Sequence, residues 1–223
     1  MKQKLTIYSV LLLLILGLGG CKEAVEERDK KISEMSAEEL PDVTAFQDEF
    51  TREFMVSTEP VKGGYYLFRS KTGGYTMMYP ENARLDNLYY ESPSDDYETV
   101  KYGATNEEVG YWYLVRGTYN QGKGADSLEG LKAAVEGHTK YNGEYEQMDY
   151  NDKRIHFAKM ENVRSTGRSI TYRFIGIIQS KNSNQALSYI CNVTTDYEND
   201  INVPSIEKEV LNIMESVEFQ KLE

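Results

Sequence analysis

From Gly63 onward apolar and polar residues alternate with a period of two, and this alternation excludes an all-helical fold. Strands are expected at 65–69, 74–79, 85–91, 98–103, 110–119, 144–150, 153–161, 169–179 and 186–194, separated by clusters of Gly, Asn, Asp and Ser. Asn151-Asp152 marks a tight turn between two of them. In 169–179, Ile170, Tyr172, Phe174 and Ile178 point one way, while Thr171, Arg173, Ile175 and Ile177 point the other. In 186–194, Leu187, Tyr189, Cys191 and Val193 share a face, which makes Cys191 a buried core residue rather than a nucleophile.

Three stretches break the alternation with helical spacing. Phe46, Phe50 and Phe54 recur every four residues, and Thr44 with Gln47 fits a capping box at the start of that run. Asp126 or Ser127 caps a second helix whose Leu128, Leu131, Val135 and His138 form one stripe. A third begins at Asn202, with Pro204 in the first turn where a missing N–H costs nothing, and turns Ile206, Val210, Ile213 and Val217 inward. Strands, a helix, more strands and a closing helix indicate an α+β sandwich, a mainly antiparallel sheet covered by helices.

The first 21 residues say where the chain works. Two lysines among Met1 to Lys4, an apolar run from Leu5 to Leu18 and the small residues Gly19 and Gly20 make a secretory signal, too short to span a membrane comfortably. Leu18-Gly19-Gly20-Cys21 resembles the bacterial lipobox. That resemblance implies a diacylglyceryl group on the Cys21 sulfur and cleavage just before it. Two acyl chains anchor stably because each buried methylene contributes roughly 0.8 kcal/mol. The expected organisation is a signal peptide over 1–20, a charged tether over 21–41 and an α+β domain with an N-terminal helix over 42–223. Glu26/Lys30 and Glu27/Lys31 have the spacing that supports helix within the tether.

Charge and cysteine use limit the partners. Of 25 basic and 36 acidic side chains, Lys2 and Lys4 leave with the signal and no acid does, which takes the formal net charge from −11 to −13. Such a chain is repelled by nucleic acid and by anionic headgroups, so the membrane is reached through the lipid on Cys21. With Cys21 acylated, Cys191 has no partner for an intramolecular disulfide.

Motifs that carry chemistry are incomplete. Gly117 to Gly124 has the outline of a phosphate-binding loop, but Gly124 stands where a Ser or Thr hydroxyl must hold magnesium, so no nucleotide is expected. Asp196, Glu198, Asp200 and Glu207 echo a calcium loop, with Ile201 in place of the glycine that its sharp turn needs. They are the candidate metal ligands, and no metal or other cofactor is expected. Asp95, Asp96 and Glu98 form a second acidic loop. His138 and His156 lack companions at metal-ligand spacing. All but Tyr8 of the 18 tyrosines lie beyond the signal. Tyr111, Tyr113 and Tyr119 share a strand face, with Trp112 and Leu114 on the other. That row is the candidate binding surface, although tyrosine is also simply a good strand former.

The order of elements resembles the PsbP/DcrB-like fold of photosystem accessory proteins and bacterial lipoproteins. The matching stretches are Gly74-Tyr75-Thr76-Met77-Met78-Tyr79-Pro80, Ser127-Leu128-Glu129-Gly130-Leu131 and Ile213-Met214-Glu215-Ser216-Val217-Glu218-Phe219. Asp152-Lys153 stands where that family usually has a hairpin glycine. The chain is also similar to small lipoproteins of bacilli of the YvcA type. These resemblances imply no catalytic residues. The expected function is a non-enzymatic, membrane-anchored extracytoplasmic accessory or binding lipoprotein that presents a sheet face or loop to a protein or cell-wall partner. The alternative is an envelope-acting hydrolase that uses carboxylates clustered in space.

Overall fold

The computed structural model describes residues 32–163 and 168–221. Its helices are α1 (Thr44–Gln47), α2 (Glu49–Arg52), α3 (Lys123–Asp126), α4 (Leu128–Thr139) and α5 (Val203–Glu215). Its strands are β1 (Tyr65–Arg69), β2 (Tyr75–Pro80), β3 (Arg84–Leu85), β4 (Glu91–Ser94), β5 (Tyr97–Asn106), β6 (Tyr111–Gln121), β7 (Glu146–Asp149), β8 (Lys153–Val163), β9 (Ser169–Ser180), β10 (Gln185–Asp196) and β11 (Glu218–Phe219). Among the described residues they form two antiparallel sheets, a small one ordered β1-β2-β11 and a large one ordered β3-β5-β6-β10-β9-β8-β7, with β4 also on β5.

Along much of β9 and β10 the large sheet is buried on both faces, as their alternation requires. Phe174, Ile178, Leu187, Tyr189, Cys191 and Val193 meet the small sheet and the inward face of α5, whose Ile206, Val210, Ile213 and Met214 are buried. Ile175, Ile177, Ala186 and Ile190 meet Leu131 and Val135 of α4 on the opposite side. Both long helices are capped as their sequences suggest. Ser127 Oγ accepts from the Gly130 N–H at 3.1 Å, and Asn202 Oδ1 accepts from the Ser205 N–H at 3.0 Å. Each such cap contributes about 1 kcal/mol.

An aromatic seam joins the two sheets and accounts for much of the tyrosine. Phe54 stacks on Phe68 at 5.2 Å, Phe68 on Tyr79 at 5.9 Å, Tyr79 meets Tyr102 at 4.8 Å, and Tyr75 stacks on Tyr119 at 5.4 Å. Gly74 permits the last contact, because a Cβ there would lie 2.2 Å from the Tyr119 ring. The buried Gln185 side-chain amide pins the same corner, donating to Tyr119 Oη at 2.8 Å and to the carbonyls of Gly74 and Gln220, each at 3.1 Å.

Several expectations change. The phenylalanine helix is two single turns that break at Asp48, whose backbone is extended (φ −83, ψ 117). Asp48 leaves the helix because its carboxylate caps the second turn, accepting from the Thr51 N–H at 2.8 Å and from Thr51 Oγ1 at 2.6 Å. The first turn starts after Val43 with no side-chain cap, so the Thr44/Gln47 box does not form. The 85–91 strand is β3, a 3-10 turn over Asn87–Tyr89 and β4, because the Asp86 carboxylate accepts from the Leu88 N–H and turns the chain. Gly117 to Gln121 is part of β6, and α3 has only four residues, so no phosphate loop is built. Leu40 is buried and Ile32 and Met35 pack on the core, so the later part of the 21–41 stretch lies against the domain. Residues 1–31, with the signal and Cys21, lie outside the described residues.

Candidate functional site: a tyrosine-lined cleft

Between the open ends of the two sheets and α5 lies a cleft of about 270 Å³. Strand β6 brings Tyr111 and Tyr113 to it, β1 brings Tyr65, β10 brings Tyr189 and Cys191, and α5 brings Glu209. Glu81 and Asn82, just after β2, and Asn106, at the end of β5, complete its polar rim, while Val115, Val193, Ile206 and Val210 supply apolar lining. Tyr113 Oη donates to Asn82 Oδ1 at 3.0 Å, and Asn106 Nδ2 donates to Tyr111 Oη at 3.5 Å.

The cleft's phenols and its thiol are held in their protonated forms. Burial, followed by the neighbouring Glu209 carboxylate, raises the Tyr65 phenol above its ordinary value. Burial raises Tyr111 too, against a hydrogen bond from Asn106, and raises Tyr113 and Tyr189 strongly. Burial also pushes the Cys191 thiol up to about 12. A thiol is nucleophilic as its thiolate, so Cys191 is inert at neutral pH. The cleft therefore offers ring faces, neutral hydroxyls and two carboxylates.

Of the three tyrosines expected to form a surface, Tyr111 and Tyr113 line the cleft, whereas Tyr119 is fully buried beneath Gly74. The alternation placed all three on one face correctly, but the small sheet covers the far end of that face. Trp112 and Leu114, on the other face, are 42% and 41% exposed, with Leu88 and Tyr89 exposed as well. Tyr65, Glu81, Asn82, Asn106 and Glu209 were not singled out from sequence. They belong to four separate elements or turns, and only the packing of β1 and α5 on the large sheet brings them together. Tyr189 carried a usable signal, since it shares its strand face with Cys191.

The acidic candidates separate. Asp196 ends β10, Glu198 and Asp200 lie in the following loop, and Glu207 on α5 pairs with Lys159 at 2.7 Å. Among the described residues no three His, Cys, Asp or Glu side chains are placed to hold a metal ion. Glu98 is fully buried, its Oε1 accepting from the Lys71 N–H at 2.9 Å and from Tyr90 Oη at 3.1 Å. No described helix is long and apolar enough to cross a membrane.

A family model described as "Putative lipoprotein YvcA" matches residues 41–218. The "Putative lipoprotein YvcA" of Bacillus subtilis (strain 168) is 27% identical over 193 residues, which span 80% of this chain and 79% of its own. Among solved structures, the Ran-binding protein Mog1p of Saccharomyces cerevisiae is 12% identical with a TM-score of 0.40, covering 69% of this chain and 94% of that one. A point mutant of Mog1 is 11% identical with a TM-score of 0.37, covering 69% and 95%.

Proposed function

We propose that this chain, which belongs to the YvcA lipoprotein family, is a lipid-anchored extracytoplasmic binding protein without catalytic activity. The lipid sits on Cys21, and the tyrosine-lined cleft takes up a small molecule or one protruding group of an envelope or protein partner. One observation carries this reading. The cleft combines four tyrosines kept protonated with a thiol pushed up to about 12, so it supplies stacking and hydrogen bonds without an activated nucleophile. The motifs behind the PsbP/DcrB-like grouping fall on β2, on the start of α4 and on the passage from α5 into β11, which supports that grouping as the finer fold assignment.

The test has two parts. Cys21→Ser should release the protein from the membrane fraction or leave its signal uncut, and unchanged processing with full membrane retention contradicts the anchor. For the cleft, ligand-detected NMR with a panel of amines, amino acids, sugars and short wall peptides should find a binder. Asn82→Trp, at the exposed rim, should abolish that binding. A panel without binders, or binding indifferent to Asn82→Trp, contradicts the cleft reading.

A second reading rests on one observation. Glu81 and Glu209 line the same cleft, and an envelope hydrolase would draw its two carboxylates from such a pair. Hydrolysis of wall fragments that is lost in both Glu81→Gln and Glu209→Gln would establish it.

A further inference from the structure

The charged side chains that line the cleft have one sign. Its lining carboxylic acids are Glu81 and Glu209, and among the described residues no lysine, arginine or histidine lines it. Among the described residues Glu209 makes no ion pair, although six acid–base pairs form there. Its field reaches inward, because it opposes ionisation of Tyr65, Tyr111 and Tyr113 alike. The carboxylate thus shares a pocket with phenol rings, whose faces are electron-rich. Lys62 does not line the cleft, yet its ammonium lies 5.7 Å from the Tyr65 ring centroid, so that ring already attracts a cation.

The same fold shows elsewhere what such a setting holds. The Lys71 ammonium lies 5.0, 4.6 and 5.6 Å from the ring centroids of Phe50, Phe54 and Tyr90, and the Glu53 carboxylate meets it at 2.5 Å. Three rings and one carboxylate there enclose a single ammonium. The cleft gathers the same kinds of group in Tyr65, Tyr111, Tyr113 and Glu209, and among the described residues no ammonium lines it. Ring quadrupoles attract cations, and partial desolvation between apolar walls strengthens the attraction.

We propose that the cleft binds the ammonium group of an organic cation, with Glu209 as counter-charge and Tyr65, Tyr111 and Tyr113 as its walls. This rests on the reading of the cleft as a binding site and names the ligand class. A volume of about 270 Å³ suits one ammonium head with a short carbon chain. An inorganic divalent ion fits less well, because it needs several converging oxygen ligands and no such group is placed among the described residues. The cation is either a free quaternary amine or a lysine-type side chain, and the two differ in what they carry beyond the nitrogen.

The experiment separates these sources by isothermal titration of the mature chain in non-ionic detergent. Choline is compared with 3,3-dimethylbutanol, its neutral carbon isostere. Nα-acetyl-lysine methylamide is compared with the corresponding norleucine derivative. At least one cation should bind about tenfold more tightly than its neutral counterpart, and which one identifies the source. Glu209→Gln, an exposed change that leaves the core intact, should weaken that cation about fivefold and leave the neutral probe unmoved. Equal binding of cation and isostere, or indifference to Glu209→Gln, overturns the assignment while leaving the cleft a binding site. Absence of binding by both cations overturns it as well, and the broader ligand panel then decides the cleft separately.

Discussion

Tyr102 Oη and Tyr189 Oη lie 2.8 Å apart at the centre of the large sheet, and each side chain is almost wholly buried. The pair joins neighbours of β6 on its two sides, Tyr102 from β5 and Tyr189 from β10. Each phenol satisfies the other where water does not reach. Replacing one strands its partner's hydroxyl at a cost of about 1–3 kcal/mol, whereas replacing both removes the polar requirement. Tyr102→Phe and Tyr189→Phe should each destabilise the protein, and the double variant should lose less than the two single losses combined. Strict additivity in a denaturant-monitored double-mutant cycle contradicts the pair.

The N-terminal turns are structural. Phe46 and Phe54 are almost wholly buried, and Phe54 stacks on Phe68 and meets Phe50 and Tyr90 edge-on. Phe54→Ala should cost about 3–5 kcal/mol, or a fall in Tm of about 10 °C. A chain beginning at residue 32 should melt like the mature protein, while one beginning at residue 60 should melt far lower or fail to fold. Equal melting of the two truncations contradicts this account.

How much of this was legible in the sequence depends on the range of the interaction concerned. β9 and β10 announced themselves through alternation, and α4 and α5 through their apolar stripes and the caps Ser127 and Asn202, because those signals are local. The break at Asp48 was not legible, since Phe46, Phe50 and Phe54 keep helical spacing across it. There a carboxylate's bond to the next turn's N–H outweighs helical continuity. The cleft was half legible. Tyr111 and Tyr113 stood out as a row, but their meeting with Tyr65, Glu209 and Asn82 depends on how β1, β2 and α5 pack on the large sheet. Such long-range packing leaves no local pattern.

His156 sets an acid limit on stability. It is buried on β8 and its Nε2 has no hydrogen-bond partner. Burial, then the nearby Arg154 and Lys132, lowers its pKa below the ordinary value. As pH falls through about 6.5 the unfolded chain takes up a proton that the folded one refuses, so stability drops until the folded pKa is passed. Between pH 7.5 and 5.5 the wild type should therefore lose more stability than His156→Gln. Parallel pH profiles for the two proteins contradict this.

Cys191 reports on the integrity of the cleft floor. With its thiol near 12 and only 3% of its surface exposed, it should resist a thiol reagent at pH 8 for hours in the native protein. It should react within seconds in guanidinium chloride. Rapid native modification, followed by absorbance of the released chromophore, would mean that the cleft opens far more widely than its packing allows.

The central claim is that the tyrosine-lined cleft is where this protein meets its ligand or partner. The most direct test places a photoreactive benzoylphenylalanine at Tyr65 in the cleft or at Leu88, an exposed position that does not line it, in the anchored protein of living cells. Irradiation should give a discrete adduct from position 65 and none from position 88. An adduct from position 88 alone, or the same adducts from both, would contradict the account.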